Sequence, residues 1–245
     1  MAFLLRHLTL FIALALAISL SATPASAQTE AASTFRTFCT NLDGQVDGVF
    51  YDLQGQKISL SASNAGLSSP YPRPSDGLVS LYRELPPVPP ETKPRRIVIA
   101  EARLGDGGPW LLLISAARGQ ATITAKAIDH SWEKHPVGMI RIFNFSPKRA
   151  AFHIADNVFE LLPGEDRSVP LPRLETSQLL VKIAAHEGDQ WRLRINRPQR
   201  IPSADTPVRL TWVLLELPPD EDNPSPRFII RNLLENAPTP IAPSS

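Results

Sequence analysis

The sequence predicts an all-β protein of two Ig-like antiparallel β-sandwich modules in tandem, with one large β-sandwich as the alternative. Three observations favour this fold class. Short apolar or alternating runs recur at intervals of about 8 to 20 residues, separated by Gly, Pro, Asn and Asp. The 245 residues include 25 prolines, which disfavour long helices because proline lacks an amide donor and clashes with the preceding turn. The order of the runs also recurs after about 100 residues.

The N-terminal residues have the features of a secretory signal peptide. Arg6 precedes an apolar stretch over 8–20, and Ala25-Ser26-Ala27 supplies the small residues of a cleavage site. This stretch of roughly 13 residues is shorter than a membrane-spanning helix. We therefore expect a secreted or periplasmic protein with no membrane span after signal cleavage. The expected organisation is a signal peptide (1–27), a flexible N-terminal segment (28–43), a first module (44–129), a second module (137–236) and a disordered tail (237–245).

The apolar runs define the expected strands. Asp52-Leu53-Gln54-Gly55 and Leu162-Pro163-Gly164-Glu165 are typical of tight turns between them. Residues 86–94 are rich in proline and predict an extended, polyproline-like connection. The strands are expected at 48–53, 56–61, 78–83, 96–102, 110–115, 122–128, 139–145, 150–155, 158–162, 179–184, 190–196, 208–217 and 227–233.

Alternation within two strands predicts which side chains are buried. Trp191 and Leu193 alternate with Arg192 and Arg194, so the first pair is expected in the core and the second in solvent. Trp212 belongs to a similar period-two pattern in 208–215. The expected core of the second module is Phe143, Phe145, Trp191, Leu193, Trp212 and Leu214.

The two halves are similar in the order of their strands. The pair 49–53 and 57–60 aligns with 142–145 and 149–152, 78–81 with 179–182, 110–114 with 211–215, and 122–128 with 227–233. This alignment predicts one sandwich module repeated, with the break in 129–136.

Two sequence motifs in the second half resemble those of a known group of proteins. These are Ile142-Phe143-Asn144-Phe145-Ser146-Pro147 and Leu161-Leu162-Pro163-Gly164-Glu165. The chain resembles secreted bacterial proteins with a tandem β-sandwich, mainly over 137–217. No catalytic residue is established for that group, so the resemblance implies a fold and no chemistry.

Charge and cysteine content restrict the partners. Because residues 1–27 hold one basic residue and no acidic one, the remainder carries equal numbers of basic and acidic side chains. Nucleic-acid binding proteins usually carry a basic excess, so no nucleic-acid partner is expected. Cys39 is the only cysteine, which excludes an intrachain disulfide. It is expected as a small apolar residue or a thiol near a loose N-terminus, with intermolecular pairing as the alternative.

The segment His130-Ser131-Trp132-Glu133-Lys134-His135 is the densest cluster of reactive side chains. Its two histidines are five residues apart, whereas a zinc-binding helix needs them at i and i+4. We interpret the segment as a linker between modules, with a metal site as the alternative. No cofactor is expected.

The sequence favours a non-enzymatic extracytoplasmic structural or surface-interaction protein, whose partner is a protein or polysaccharide of the cell envelope. The alternative is a carbohydrate-binding module that uses exposed aromatic rings and a basic strand face. Enzymatic activity is the third hypothesis, and it would involve His130, Glu133 and His135. The candidate binding residues are Trp132, Tyr71, Arg192 and Arg194.

Overall fold

The structure, a computed structural model, describes residues 33–40, 45–116, 123–219 and 221–237. This part of the chain contains strands and turns and no helix, so the all-β prediction is confirmed. None of its elements is a helix long and apolar enough to cross a membrane. The strands are β1 (Thr34–Cys39), β2 (Gln45–Leu53), β3 (Gln56–Ser63), β4 (Tyr71–Pro72), β5 (Leu78–Leu85), β6 (Arg95–Arg103), β7 (Trp110–Ala116), β8 (Ile123–Asp129), β9 (Met139–Asn144), β10 (Ala150–Ile154), β11 (Asn157–Leu161), β12 (Asp166–Pro170), β13 (Gln178–Glu187), β14 (Gln190–Arg200), β15 (Val208–Leu217) and β16 (Arg227–Asn236).

The strands form four sheets arranged as two pairs. Sheet 1 (β3-β2-β5-β6) packs on sheet 2 (β4-β1-β7-β8), and sheet 3 (β12-β9-β15-β16) packs on sheet 4 (β11-β10-β13-β14). Each pair encloses its own apolar core, which contains Tyr51 and Leu81 in the first sandwich and Phe152 and Trp212 in the second. The described part of the chain therefore forms two β-sandwich modules in tandem.

The two sandwiches have the same topology. The strand order of sheet 1 matches that of sheet 4, and the order of sheet 2 matches that of sheet 3. In each central sheet the first strand of the repeat is parallel to the seventh, as β1 is to β7 and β9 to β15, and the other pairings are antiparallel. β1 and β9 also share one burial pattern along their six residues. The described part of the chain thus contains two copies of one eight-stranded unit.

The first strand of the repeat corrects two predictions. Thr34–Cys39 lies within the segment expected to be flexible, yet it forms β1 and buries Phe35, Phe38 and Cys39. Because β1 was missed, β2 and β3 were aligned with β9 and β10, whereas the topology matches them with β10 and β11. The other three alignments agree with the topology. The short strands β4 and β12 were not predicted from the sequence.

A third apolar cluster joins the two central sheets. Phe38, Leu111 and Leu113 of sheet 2 pack with Phe143 and Val213 of sheet 3. β15 is consequently buried on both faces over most of its length, since one face lines the second core and the other lines this cluster. The four sheets therefore form four stacked layers, with sheets 2 and 3 in the middle.

The two sequence motifs on which the resemblance is based, 142–147 and 161–165, lie side by side. The buried Asn144 side chain donates to the carbonyls of Lys148 (2.8 Å) and Leu161 (3.0 Å). The amide of Gly164 donates to the carbonyl of Asn144 at 2.7 Å. Gly164 has φ 83° after Pro163, which suits a tight turn. The expected turn at Gln54 and Gly55 is also present, with positive φ at both residues.

The predicted core of the second sandwich is only partly correct. Trp212 and Leu214 lie in that core, but Phe143 and Phe145 pack in the cluster between the central sheets. Trp191 and Leu193 are 40% and 58% exposed on the outer face of sheet 4, so their assignment to the core is wrong. The cause is a bulge: Ile195 faces Ile183 and Leu193 faces Ala184, which leaves Arg194 as an extra residue. The extra residue inverts the inward and outward alternation of β14.

The connection over 86–94 contains no strand and includes a turn at Pro89 and Pro90. The predicted signal peptide (1–27) and residues 238–245 of the predicted tail lie outside the described residues.

Candidate functional site

A buried polar network fills one end of the contact between the two sandwiches. We call it the junction network, and its members are His130, Trp132, His135, Arg209 and Glu235. Arg209 is at its centre and only 1% exposed. Its guanidinium donates to the Glu235 carboxylate (3.1 Å) and to the carbonyl of His130 (2.7 Å), and lies 3.8 Å from the ring centre of Trp132. Arg209 thus binds the segment joining the sandwiches to the second sandwich.

His130 and Glu235 make the shortest described contact of this network, with Nε2 of the imidazole 2.5 Å from Oε2 of the carboxylate. Burial lowers the pKa of His130, so the ring is neutral at neutral pH and donates through Nε2. Burial by itself would raise the pKa of Glu235, but the hydrogen bond from His130 and the guanidinium of Arg209 lower it to about 2. Glu235 is therefore an ionised carboxylate enclosed by donors.

His135 lies beside His130, with their ring centres 5.5 Å apart. Burial lowers the pKa of His135 to about 3. Its Nε2 lies 3.4 Å from the carbonyl of Met139, and its Nδ1 lies 3.5 Å from the Thr211 hydroxyl. Both histidines thus make hydrogen bonds that fix the linker. Within the described residues no cluster of three or more His, Cys, Asp or Glu side chains fits a metal ion, and the metal alternative receives no support.

A cleft of about 500 Å³ opens next to the junction network, and we call it the junction cleft. Both sandwiches and the linker contribute to its walls. Arg36 of β1 approaches Glu235 to 3.9 Å across it, and the indoles of Trp110 and Trp132 also line the wall. The wall residues that carry polar or aromatic groups include Arg36, Trp110, His130, Trp132, Glu235 and Asn236.

The structure separates the four predicted binding residues. Trp132 is half-buried in the wall of the junction cleft. Tyr71 packs on Phe35 and Tyr51 at the edge of the first core. Its hydroxyl accepts a hydrogen bond from the backbone amide of Ser61 at 3.0 Å. Its ring is therefore directed to the core and not displayed.

Arg192 and Arg194 lie in β14, away from the junction cleft, and share Glu187. Arg194 forms two short hydrogen bonds to that carboxylate, and Arg192 approaches it to 3.7 Å. Lys148 bridges Glu187 and Glu216, each at 3.0 Å. The pKa of Glu187 is lowered to about 2, first by the hydrogen bonds from Arg194. The predicted basic face is therefore a mixed ion cluster that covers the edge of the second core.

The outer face of sheet 4 exposes two side chains that were predicted to be in the core, Trp191 and Leu193. We use the name outer face for the exposed residues Trp191, Leu193, Leu180 and Val158. Trp191 is adjacent to His186, with ring centres 5.0 Å apart, and the Arg149 guanidinium lies 5.4 Å from its indole. Leu193 lies two residues further along the same face. No signal in the sequence marks the bulge that places them there.

The matching face of the first sandwich is covered differently. There Lys57 lies 4.6 Å from the ring centre of Phe50, and Arg96 lies 4.6 Å from that of Tyr82. Lys57 and Arg96 are in turn paired with Glu84 and Asp52. Charged side chains thus cover the aromatic rings of sheet 1, whereas the indole of Trp191 remains 40% exposed beside Arg149.

Among the described residues, the junction cleft and the outer face both bring a tryptophan to the surface. His130 and His135, the two histidines that were candidates for catalysis, make structural hydrogen bonds. Neither a protein-family model nor a curated protein matches this chain.

Proposed function

We propose that this chain is a non-enzymatic extracytoplasmic protein that acts through surface contact with another protein of the cell envelope. The observation that carries the proposal is the outer face of sheet 4. Apolar groups on a monomer surface usually occur singly, and several on one sheet face are typical of an interaction site. Trp191 adds an indole, a side chain enriched at the centres of protein interfaces.

The edge of sheet 4 indicates how a partner would approach. β14 is an edge strand, and it contains Pro198, which has no amide to offer to a pairing strand. The bulge at Arg194 further interrupts a regular ladder. A partner is therefore expected to pack on the face of the sheet and not to extend it by another strand.

The extracytoplasmic location is supported by the signal-peptide features of residues 1–27. The non-enzymatic character is supported by the structural use of the polar residues in the junction network, whose histidines are both buried and neutral.

Photo-crosslinking in intact cells tests the proposal. We expect the native protein to form a discrete protein adduct, and Leu193→Asp to abolish it by placing a charge on the outer face. Val98→Asp is the matched control, because Val98 is similarly exposed (56%) on the corresponding strand of the first sandwich. Loss of the adduct in both variants, or recovery of the native protein without an adduct, would contradict the proposal.

A further inference from the structure

The junction cleft has the dimensions and the composition of a small-ligand site. Its volume of about 500 Å³ lies within the usual range of ligand pockets, about 300–1,000 Å³. It is open to solvent on one side and lies where two modules meet, a frequent location for binding sites. A ligand of one or two sugar rings fits this volume.

The wall combines aromatic rings with groups that bind hydroxyls. Trp110 and Trp132 supply apolar indole surface, and Arg209 fixes the position of Trp132 by stacking on it. Arg36 supplies guanidinium donors, and Glu235 supplies carboxylate acceptors. A pyranose ring needs this combination, because it has an apolar C–H face and a rim of hydroxyl groups.

Two ring nitrogens in the wall residues have no hydrogen-bond partner among the described residues. They are Nδ1 of His130 and Nε1 of Trp110. Since Nε2 of His130 donates to the carboxylate of Glu235, Nδ1 of the neutral ring carries a lone pair and accepts. Nε1 of the Trp110 indole can only donate. Both atoms are buried, so the groups that contact a ligand in the junction cleft are the other polar and aromatic groups of its wall.

We propose that the junction cleft binds a pyranose sugar. Trp110 and Trp132 contact the C–H face of the ring, while Arg36, Glu235 and Asn236 bind its hydroxyls. The wall carries two guanidinium groups, Arg36 and Arg209, and one carboxylate, Glu235. Because positive charge is in excess, the cleft also accommodates a sugar that bears a carboxylate. This inference does not depend on the outer face and its protein partner.

Calorimetric titration of the purified protein tests the inference. The probes are cellobiose and chitobiose as neutral sugars, digalacturonate as an acidic sugar, and sodium acetate as a simple anion. We expect at least one sugar to bind. A preference for digalacturonate would assign Arg36 to the carboxylate, whereas binding of a neutral sugar would assign it to hydroxyls. Either result supports a sugar site.

Variants identify the site and separate it from the outer face. Arg36→Gln and Asn236→Ala should each weaken sugar binding about tenfold or more. Asn236 is exposed at the end of β16, so its variant is expected to fold and serves if Arg36→Gln does not. Trp191→Ala should leave sugar binding unchanged, although it removes the indole of the outer face.

Three results would overturn the inference. The first is no heat of binding from any sugar at millimolar concentration. The second is acetate binding as tightly as digalacturonate in the absence of neutral-sugar binding, which indicates an anion site. The third is loss of sugar binding in Trp191→Ala with retention in Arg36→Gln and Asn236→Ala, which places the sugar on the outer face.

Discussion

His130 and Glu235 occupy equivalent positions in the two copies of the repeat, and they bind each other. His130 follows β8, and its amide donates to the carbonyl of Pro109 at 3.0 Å. Glu235 pairs with Arg209 in the matching strands of the second copy. The correspondence follows from the parallel pairings in the two central sheets. Arg36 pairs with Leu111 in the first copy, and Arg141 pairs with Thr211 at the same position in the second. The repeats therefore meet through a complementary pair, an imidazole donor and a carboxylate acceptor.

Removing the carboxylate should destabilise the protein strongly. Glu235→Ala leaves the buried guanidinium of Arg209 without its counter-ion, which typically costs about 3–5 kcal/mol in the free energy of unfolding. Glu160→Ala is the control, since its ion pair with Arg149 is about half exposed and worth about 1 kcal/mol or less. Urea unfolding measures both. Equal losses would show that the junction pair is not specially stabilising.

Stability should fall as the pH is lowered because of the buried histidines. An unfolded His135 binds a proton below its ordinary pKa of 6.5, whereas the folded one stays neutral down to a pKa of about 3. The unfolded state therefore binds more protons in this window, so the free energy of unfolding decreases from pH 6.5 towards pH 3. The lowered pKa of His130 acts in the same direction.

Chemical denaturation at several pH values between about 7 and about 4 measures this dependence. His135→Asn should flatten it. His153→Asn is the matched control, because it makes the same replacement at an exposed position on sheet 4. A variant at His135 with the slope of the native protein would disprove this account.

The tryptophans should differ in their contribution to stability in the order of their burial. Trp212→Ala removes a side chain that is 1% exposed in the second core, at a cost of about 3–5 kcal/mol. Trp132→Ala removes the stacking on Arg209, worth about 0.5–2 kcal/mol. Trp191→Ala should change little. Thermal unfolding of the three variants checks the order, and a larger loss at Trp191 than at Trp212 would show that the strand phase is wrong.

The sequence predicted the fold class because strand periodicity and turn residues are local signals. The thirteen expected strands overlap strands of the structure, and the turn containing Gly164 is where the proline and glycine place it. Trp191 was misplaced because its exposure depends on one extra residue at Arg194, and alternation cannot reveal a bulge in advance. Phe143 was assigned to the wrong cluster because the cluster it joins is completed by residues of the other sandwich.

The candidate sites depended even more on tertiary structure. Trp132 was identified as a candidate, but its partner Arg209 lies far along the chain. Arg209 also alternates with apolar residues in β15, a pattern that predicts a side chain facing solvent. Arg36 was overlooked because it lies in β1, within a segment expected to be flexible. The junction cleft is formed by both repeats, and no local pattern contains it.

The thiol of Cys39 should be unreactive in the native protein. Cys39 is fully buried in β1, within the first core, and a thiol without solvent access cannot attack a reagent or form an intermolecular disulfide. We expect no reaction with Ellman's reagent before unfolding and stoichiometric reaction in denaturant. Rapid labelling of the native protein would show that β1 detaches from sheet 2.

Disrupting the cluster between the central sheets should uncouple the two sandwiches. Each sandwich has its own core, but Phe38 and Val213 belong to the cluster that they share. This shared cluster predicts one cooperative unfolding transition for the native protein. Val213→Asp buries a charge between sheets 2 and 3, and should split calorimetric unfolding into two transitions or lower the midpoint sharply. Val158→Asp, at a position 73% exposed, should keep the native profile. Two transitions already present in the native protein would mean that the shared cluster does not couple the modules.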